Sequence, residues 1–207
     1  MSLSIVLATR NAGKIREIRM ILAGLDVALI DSSAFPPFPE PAENENTFLE
    51  NALAKAKAVH RATGLSALAD DSGIEVDALG GEPGVRSARY GGSGLTDADR
   101  CARLLDALRG VPEERRGADF RCVAVLYPAP GASRKALAAE GFLYGRISEA
   151  PRGKGGFGYD PVFFVPERGV TVAEMEAGEK NSMSHRYRAF LEVKYILMRD
   201  YGVTMKS

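Results

Sequence analysis

Two adjacent acidic residues, Asp70 and Asp71, are the first candidates for chemistry in this sequence. They follow an apolar run over residues 65–69 and precede Ser72 and Gly73. The run predicts a short buried strand, with the acids in a turn where that strand leaves the core. Neighbouring carboxylates repel each other unless a cation or a shared proton intervenes. The pair therefore fits a divalent metal site or a general base, and an ordinary Asp-Ser-Gly turn fits it equally well.

A polar segment near the start of the chain has the groups that bind an anion. The pattern predicts a strand over residues 4–8, a polar turn over 9–13 and a helix over 14–23. Such a junction directs backbone N–H groups and a helix N-terminus at a phosphate, although an ordinary strand-to-helix turn has the same pattern. It is not a Walker loop, because Ala8 and Ile15 stand where that motif needs Gly and Ser or Thr. The candidate phosphate-binding residues are Thr9, Arg10, Asn11, Ala12, Gly13 and Lys14.

A second helix is predicted over residues 47–63, because Thr47 and Glu50 have the spacing of a capping box and a glycine follows. Asn51 and Lys55 are four residues apart, so they share one face of this helix.

Three glutamates precede this helix, namely Glu40, Glu43 and Glu45. Together with the aspartate pair they offer oxygen ligands from separate segments, which suit Mg²⁺ with water and substrate phosphate in its shell. The same glutamates also fit plain complementarity to the helix dipole. The sequence has no cluster of Cys or His that favours zinc.

A glycine-dense segment over residues 151–161 carries two aromatic residues. Glycines let a backbone approach a ligand closely, and aromatic rings offer a face on which a base can stack. The alternative is a hairpin loop whose aromatics fold into the core. The candidate ligand-binding residues are Phe157, Gly158, Tyr159 and Asp160.

A basic group lies around the predicted start of the last helix, which Ser184 would cap and which would run to about residue 200. Its members are Lys180, His185 and Arg186. Cations beside the positive end of a helix repel one another, so an anion would stabilise them. The alternative is a solvated basic cap.

Composition sets the limits on the class of protein. The 207 residues have a formal net charge of zero, which argues against a nucleic-acid footprint. The two cysteines, Cys101 and Cys122, lack metal spacing and no secretion signal is recognisable, so a reducing cytoplasmic location is expected. No apolar run approaches the length of a membrane span. The absence of a long linker predicts a single domain over residues 1–207.

Five motifs, in order along nearly the whole chain, resemble the Ham1/RdgB family of inosine triphosphate pyrophosphatases. They are Leu7-Ala8-Thr9-x-Asn11-x-x-Lys14-x-x-Glu17, Thr47-Phe48-x-Glu50-Asn51-Ala52-x-x-Lys55-Ala56, Asp70-Asp71-Ser72-Gly73, Phe157-Gly158-Tyr159-Asp160-Pro161 and Glu179-Lys180-Asn181-x-x-Ser184-His185-Arg186. The resemblance implies an α/β fold of the ITPase/Maf-like type, with a long mixed β-sheet flanked by helices, two lobes and a central active-site cleft. It implies a Mg²⁺-dependent homodimer that hydrolyses non-standard purine nucleoside triphosphates (ITP, dITP, XTP and dXTP) to monophosphate and pyrophosphate. This activity keeps deaminated purines out of the nucleotide pool.

The resemblance also implies roles for the acidic residues. Asp71 would be the general base and a metal ligand. The family's second metal ligand lies in a Glu-Glu-Thr-Gly run, which here reads Ala-Glu-Asn-Glu over residues 42–45. A strict count puts alanine at the metal position, so Glu43 is chosen with a shift of one residue. Glu40 and Glu45 remain alternatives.

The remaining roles concern the substrate. Residues 9–14 would bind the phosphates, Ser72 would contact the substrate and residues 157–160 would line the nucleoside pocket. Arg10 departs from the glycine common in the family. The cations that would balance charge on the transition state are Lys14, Lys55 and Lys180. The donors that would grip the 6-oxo group of the base, and leave adenine unpaired, are His185 and Arg186.

Two rival functions remain at this stage. A Maf-like pyrophosphatase that acts on modified pyrimidines or methylated nucleotides shares the fold, but it lacks the His185-Arg186 motif. A catalytically idle nucleotide-binding regulator is disfavoured by the intact pair of Asp70 and Asp71.

Overall fold

The computed structural model describes residues 3–39, 41, 44–129 and 135–206. Its strands are β1 (Leu3–Leu7), β2 (Val27–Asp31), β3 (Ser66–Val76), β4 (Gly117–Tyr127), β5 (Leu137–Ile147), β6 (Phe163–Val165) and β7 (Val170–Thr171). Its helices are α1 (Ala12–Ile21), α2 (Phe48–Thr63), α3 (Asp97–Ala107), α4 (Ala177–Met183) and α5 (His185–Tyr201). Within the described ranges the strands form one sheet in the order β2-β1-β3-β4-β5-β6-β7. Parallel pairs at the β1 side and antiparallel pairs at the β7 side make the sheet mixed, which confirms the predicted α/β class.

The chain divides into two compact units. Unit 1 comprises residues 1–71, 122–141 and 186–207, and unit 2 comprises residues 72–121 and 142–185. Strands β3, β4 and β5 each contribute residues to both units. The expectation of a single domain over residues 1–207 stays a prediction.

The core of unit 1 forms where α1 and α5 pack on the first strands. Strand β1 runs parallel to β2 and β3, and Ile5 lies opposite Leu29 on one side and Ser66 on the other. Phe190, Val193 and Leu197 form an apolar stripe along α5, and all three are buried in this core. Burial of each such side chain contributes about 1.5–3 kcal/mol, so the packing fixes the helices on the sheet.

Helix α2 starts and ends as its local signals predict. The Thr47 hydroxyl accepts the backbone N–H of Glu50 at 3.2 Å and donates to its carboxylate at 2.9 Å. Gly64 ends the helix in the left-handed region, at φ 69°. Its buried stripe consists of Phe48, Ala52, Ala56 and Val59, with the polar Asn51 buried beside them.

The aspartate pair lies inside a strand, and the prediction of a turn there was wrong. Strand β3 is continuous over Ser66–Val76, and only residues 77–79 beyond it form a 3-10 turn. Asp70 and Asp71 are both buried within this strand. Cations from other elements compensate their charges, so the backbone ladder continues through two acids that would otherwise break a buried strand.

The core of unit 2 packs α3 against the second half of the sheet. Strand β5 pairs antiparallel with β6, with Arg146 opposite Phe164, and β6 pairs antiparallel with β7. Leu104 of α3 and Leu108, the C-cap residue that follows it, lie in this core with Phe163. Tyr159 is buried there as well, which fits the alternative interpretation of its loop as one that folds an aromatic inward.

The C-terminal part differs from its predicted form by one extra helix. Helix α4 occupies Ala177–Met183, and Ser184 separates it from α5, which begins at His185. Lys180 therefore lies in α4 and not at the start of the last helix. Among the described residues no helix has both the length and the apolar character needed to cross a bilayer.

Candidate active site

Asp70 is the centre of a buried ionic network in unit 1. Its Oδ2 lies 3.0 Å from the Lys14 ammonium and 3.1 Å from the Arg186 guanidinium. The same guanidinium reaches Glu17 at 2.6 Å. Arg186 is only 1% exposed and joins α1 to β3 from the first turn of α5. The network therefore ties three elements together through one arginine.

The cations around Asp70 keep it ionised. Burial alone would raise the pKa of Asp70, but the charges of Lys14, Arg186 and Lys55 outweigh it and hold that pKa well below its usual range. Cys122 on β4 places its Sγ 3.9 Å from Asp70 Oδ2. Burial, and then the charge of Asp70, raise the pKa of the Cys122 thiol, so it stays a neutral donor.

Asp71 is held from α2. Its Oδ2 accepts the side-chain N–H of Asn51 at 3.1 Å, and its Oδ1 lies 2.8 Å from the Lys55 ammonium. Successive residues of a strand point to opposite faces of the sheet. The side chains that contact the Asp71 carboxylate therefore come from α2, and those that contact the Asp70 carboxylate come from α1 and α5. The predicted shared face of Asn51 and Lys55 is confirmed. Asp71 is 5% exposed, so its two oxygens have defined directions.

The predicted phosphate segment forms a capped helix start. Helix α1 begins at Ala12, so the prediction that Ala12 and Gly13 belong to the turn was wrong. The reason is the Asn11 side chain, whose Oδ1 accepts the N–H groups of Gly13 at 2.9 Å and Lys14 at 3.1 Å. The N–H of Asn11 in turn donates to Thr9 Oγ1 at 3.2 Å. A phosphate that binds these two helix amides competes with the Asn11 cap, while the half-buried Thr9 and exposed Arg10 border the turn.

Of the three glutamates predicted as possible metal ligands, the structure describes Glu45 alone. Glu40 and Glu43 lie outside the described residues. The backbone N–H of Glu45 donates to Asn51 Oδ1 at 3.2 Å, so residue 45 is one side chain away from Asp71. Among the described residues no group of three His, Cys, Asp or Glu side chains could hold a metal ion. The oxygen donors of Asp71 nonetheless have the chemistry that Mg²⁺ prefers.

The glycine loop, residues 155–160, forms a second polar cluster in unit 2. Asp160 Oδ2 accepts the backbone N–H of Phe157 at 2.8 Å and pairs with the Lys180 ammonium at 2.8 Å. That ammonium lies 4.5 Å from the centroid of the Phe157 ring. Gly156 has φ 75°, and a Cβ there would collide with the Asp160 carboxylate. The loop thus brings together three of the predicted site residues.

Two side chains of helix α3 contact Gly158, in the middle of the glycine loop. The N–H of Gly158 donates to Asp97 Oδ2 at 2.7 Å, and Cys101 Sγ lies 3.4 Å from Gly158 O. The hydroxyl of Tyr159 donates to the backbone oxygen of Ser87 at 2.9 Å. Asp97 was not a predicted site residue, because it belongs to none of the five motifs.

His185 and Arg186 are consecutive, but each lies in a different unit. The His185 ring stacks on Phe120 within unit 2, with centroids 4.9 Å apart and planes at 16°. Arg186 belongs to the network of unit 1 described above. Ser72 lies half-buried in β3, in the part of that strand that belongs to unit 2. The predicted contacts of His185, Arg186 and Ser72 with a base or substrate stay predictions.

Glu17 and Cys122 also belong to the polar network around Asp70 and Arg186, and neither was a predicted site residue. Glu17 is three residues after Lys14 on α1, so the two side chains share a helix face. The spacing of Glu17 from Lys14 was therefore a usable signal for a shared partner, and the structure buries Glu17. Cys122 gave no such signal, because a buried cysteine most often acts as a small apolar side chain.

Comparisons with known proteins identify the family of this chain. The sequence model of the Ham1 family matches residues 5–196. The dITP/XTP pyrophosphatase of Geobacter sulfurreducens is 52% identical over 190 residues, which span 92% of this chain and 94% of that protein. A dITP/XTP pyrophosphatase of Thermus thermophilus is 54% identical over 90% of this chain and 88% of that protein. A solved structure of a HAM1 protein from Coxiella burnetii superposes with a TM-score of 0.87, at 41% identity over 95% of this chain and 98% of that chain. With motifs, fold and sequence in agreement over nearly its whole length, this chain belongs to the Ham1 family.

Proposed function

We propose that this protein hydrolyses non-standard purine nucleoside triphosphates (ITP, dITP, XTP and dXTP) to the monophosphate and pyrophosphate. Membership of the Ham1 family supports this, as do relatives at 52% and 54% identity that are named dITP/XTP pyrophosphatases. The observation that carries the proposal is the placement of Asp71. Its carboxylate is buried in a strand, with one oxygen against Lys55 and the other against Asn51.

Asp71 is the general base of the proposed reaction. It accepts the proton of a water that attacks the α-phosphorus, a role typically worth about 10²–10⁴ in rate. Asn51 sets the direction of Oδ2, and Lys55 compensates the negative charge. A base that is already oriented loses little entropy when the substrate binds.

Mg²⁺ is the proposed cofactor. Asp71 would hold it together with one glutamate of residues 40–45, with Glu43 as the first choice and Glu40 and Glu45 as alternatives. The nearness of residue 45 to Asp71 through Asn51 supports a ligand from this segment. When bound, the ion neutralises phosphate charge and orients water.

The triphosphate is proposed to contact residues 9–14 and the three lysines. Lys14 and Lys55 are already held by the aspartate pair, at 3.0 Å and 2.8 Å. Their ammonium groups therefore need little rearrangement to balance charge on the departing pyrophosphate. Lys180, held by Asp160 at 2.8 Å, is the third cation.

Base recognition is proposed for residues of the glycine loop and the His185-Arg186 pair. The Phe157 ring offers a stacking face, and side-chain donors pair with the 6-oxo group of hypoxanthine or xanthine. Adenine carries an amino donor at that position, and a buried mismatch of this kind costs about 1–3 kcal/mol per group.

The test is a substrate panel with Mg²⁺ and added inorganic pyrophosphatase, in which released phosphate is measured for ITP, XTP, dITP, GTP, ATP and a methylated pyrimidine triphosphate. We expect the highest kcat/KM for ITP, dITP and XTP. A preference for ATP would contradict the argument on base choice, and a preference for the pyrimidine would favour the Maf-like alternative. Absence of turnover for every substrate would overturn the enzymatic function.

We also propose a homodimer and a cytoplasmic location. The resemblance to the family supports the dimer, which sedimentation velocity checks directly. Cys101 and Cys122 are buried free thiols, which fits a reducing compartment. Cell fractionation with an antibody to the protein checks the location.

A further inference from the structure

We propose that Asp97 is a positioning residue that fixes the glycine loop and thereby the face of Phe157 on which a base stacks. The inference rests on the proposed function, because it assigns a task to a loop that the function places at the base. Asp97 belongs to none of the family motifs identified in the sequence. Its role follows from contacts within unit 2.

The carboxylate of Asp97 is anchored on one side and bonded to the loop on the other. It is the first residue of α3, directly after the N-cap Thr96. Its Oδ1 accepts from the Arg100 guanidinium at 2.8 Å, and another nitrogen of Arg100 donates to the backbone oxygen of Leu95 at 2.7 Å. Its Oδ2 accepts the N–H of Gly158 at 2.7 Å. The Asp97 side chain is 49% exposed, so water weakens its ion pair with Arg100, and the bond to the Gly158 amide is the contact that ties α3 to the loop.

Gly158 is held by both of its backbone polar groups. Asp97 takes its N–H, and Cys101, one helical turn later on α3, places its Sγ 3.4 Å from the carbonyl oxygen. Gly158 has φ 63°, a conformation that glycine adopts readily, and open space surrounds the position of a Cβ. The glycine is therefore needed for its backbone angle, and α3 holds the peptide groups that this angle presents.

The bond from Asp97 complements the internal bonds of the loop. Asp160 closes the loop on itself by accepting the N–H of Phe157 at 2.8 Å, and it also holds Lys180. These bonds set the local shape of the loop. The bond from Asp97 to the next amide ties that shape to the rigid helix α3. Asp97 therefore determines where the loop presents the Phe157 ring, which affects how tightly a base binds rather than the chemical step.

The charge of Asp97 supports the assignment. Burial would raise the pKa of Asp97, but the hydrogen bonds from Arg100 and Gly158 outweigh it and lower that pKa. Asp97 is therefore an ionised acceptor at neutral pH.

The competing explanation is that Asp97 only stabilises the start of α3 through the helix dipole. Asp99, two residues later, provides the matched control. Its carboxylate accepts from the backbone N–H of Thr96 at 2.9 Å and from the Thr96 hydroxyl at 2.6 Å, so it caps the same helix. Loss of Asp99 weakens the helix start and leaves the bond to Gly158 in place.

The experiment compares Asp97→Ala, Asp97→Asn and Asp99→Ala in the full-length protein, by steady-state kinetics with ITP and by hydrogen exchange of peptides that cover residues 155–160. For Asp97→Ala we expect KM to rise about tenfold, which corresponds to about 1.4 kcal/mol, with kcat within about twofold of the wild type. Exchange should increase in the glycine loop. Asp97→Asn keeps a side-chain acceptor, so its KM and its hydrogen exchange in the loop should stay close to those of the wild type. Asp99→Ala should lower the melting temperature without either effect.

The proposal is wrong if Asp97→Ala matches Asp99→Ala in KM and in the exchange of the loop. Hydrogen exchange keeps this result separate from the proposed function. If the wild type hydrolyses no triphosphate, the function fails, yet a local increase in exchange in Asp97→Ala still supports positioning and unchanged exchange still overturns it.

Discussion

Replacement of Arg186 by methionine tests the buried network of unit 1 most sharply. Methionine keeps much of the apolar volume of the arginine stem and removes the guanidinium. Asp70 would lose partners at 3.1 Å and 3.3 Å and retain Lys14 at 3.0 Å. Glu17 would lose its partner at 2.6 Å.

The expected cost follows from burial. Arg186 is 1% exposed, and the side chains of Asp70 and Glu17 are 0% and 9% exposed, so solvent cannot replace the lost bonds. Removal of one partner from a buried ionic group typically costs about 3–5 kcal/mol. In a domain of this size that loss lowers the melting temperature by about 6–20 °C.

The assay is urea denaturation followed by circular dichroism, with Arg199→Met as the control on the same helix. Arg199 pairs with Asp200 at the surface and is 69% exposed, so its loss should change the free energy of unfolding by less than about 1 kcal/mol. If Arg186→Met unfolds at the wild-type urea concentration while ITP hydrolysis falls, the network reasoning is refuted. Arg186 would then act chiefly as the base contact that the family resemblance implies.

Three other changes have defined outcomes. Asp71→Asn should lower kcat for ITP by about 10²–10⁴, whereas Asp106→Asn, on the surface of α3, should not change it. Gly156→Ala should raise KM, because its Cβ collides with the Asp160 carboxylate that holds the glycine loop; kinetics with ITP check this. Burial, and then Glu75 and Asp77, raise the pKa of Asp119 to about 6, so ionisation of Asp119 costs folding stability as pH rises from about 4 through 6. Asp119→Asn should therefore unfold at a higher urea concentration than the wild type at pH 8. The gain in free energy of unfolding should be about 1 kcal/mol, because solvent screens a half-buried group, and it should vanish near pH 4.

Local signals were sufficient for the helices that carry their own caps. Thr47 and Glu50 cap the start of helix α2, and Gly64 ends it. Both signals lie within the local sequence, so the range of this helix was predicted closely. Helix α1 begins two residues before the predicted start, because Asn11 was interpreted as a phosphate ligand and not as the cap that it forms. The stop between α4 and α5 at Ser184 is not marked by glycine or proline, so α4 was missed.

Long-range charge pairing could not be inferred from local pattern. Strand β3 continues through Asp70 and Asp71 because their cations come from three helices, and Arg186 is 116 positions away from Asp70 along the chain. Asn51 and Lys55 were predictable as neighbours, since helical periodicity alone puts them on one face. Their contact with Asp71 needed the fold. Asp97 acts through a backbone amide of a glycine, a contact that leaves no side-chain motif.

The most direct test of the central claim is a single competition reaction in ¹⁸O-labelled water, with Mg²⁺ and equal concentrations of ITP and ATP. Attack by water on the α-phosphorus predicts labelled inosine monophosphate and unlabelled pyrophosphate. Recognition of the 6-oxo group of the base predicts that ATP stays intact. Labelled pyrophosphate, release of inosine diphosphate with phosphate, or accumulation of adenosine monophosphate in place of inosine monophosphate would contradict it.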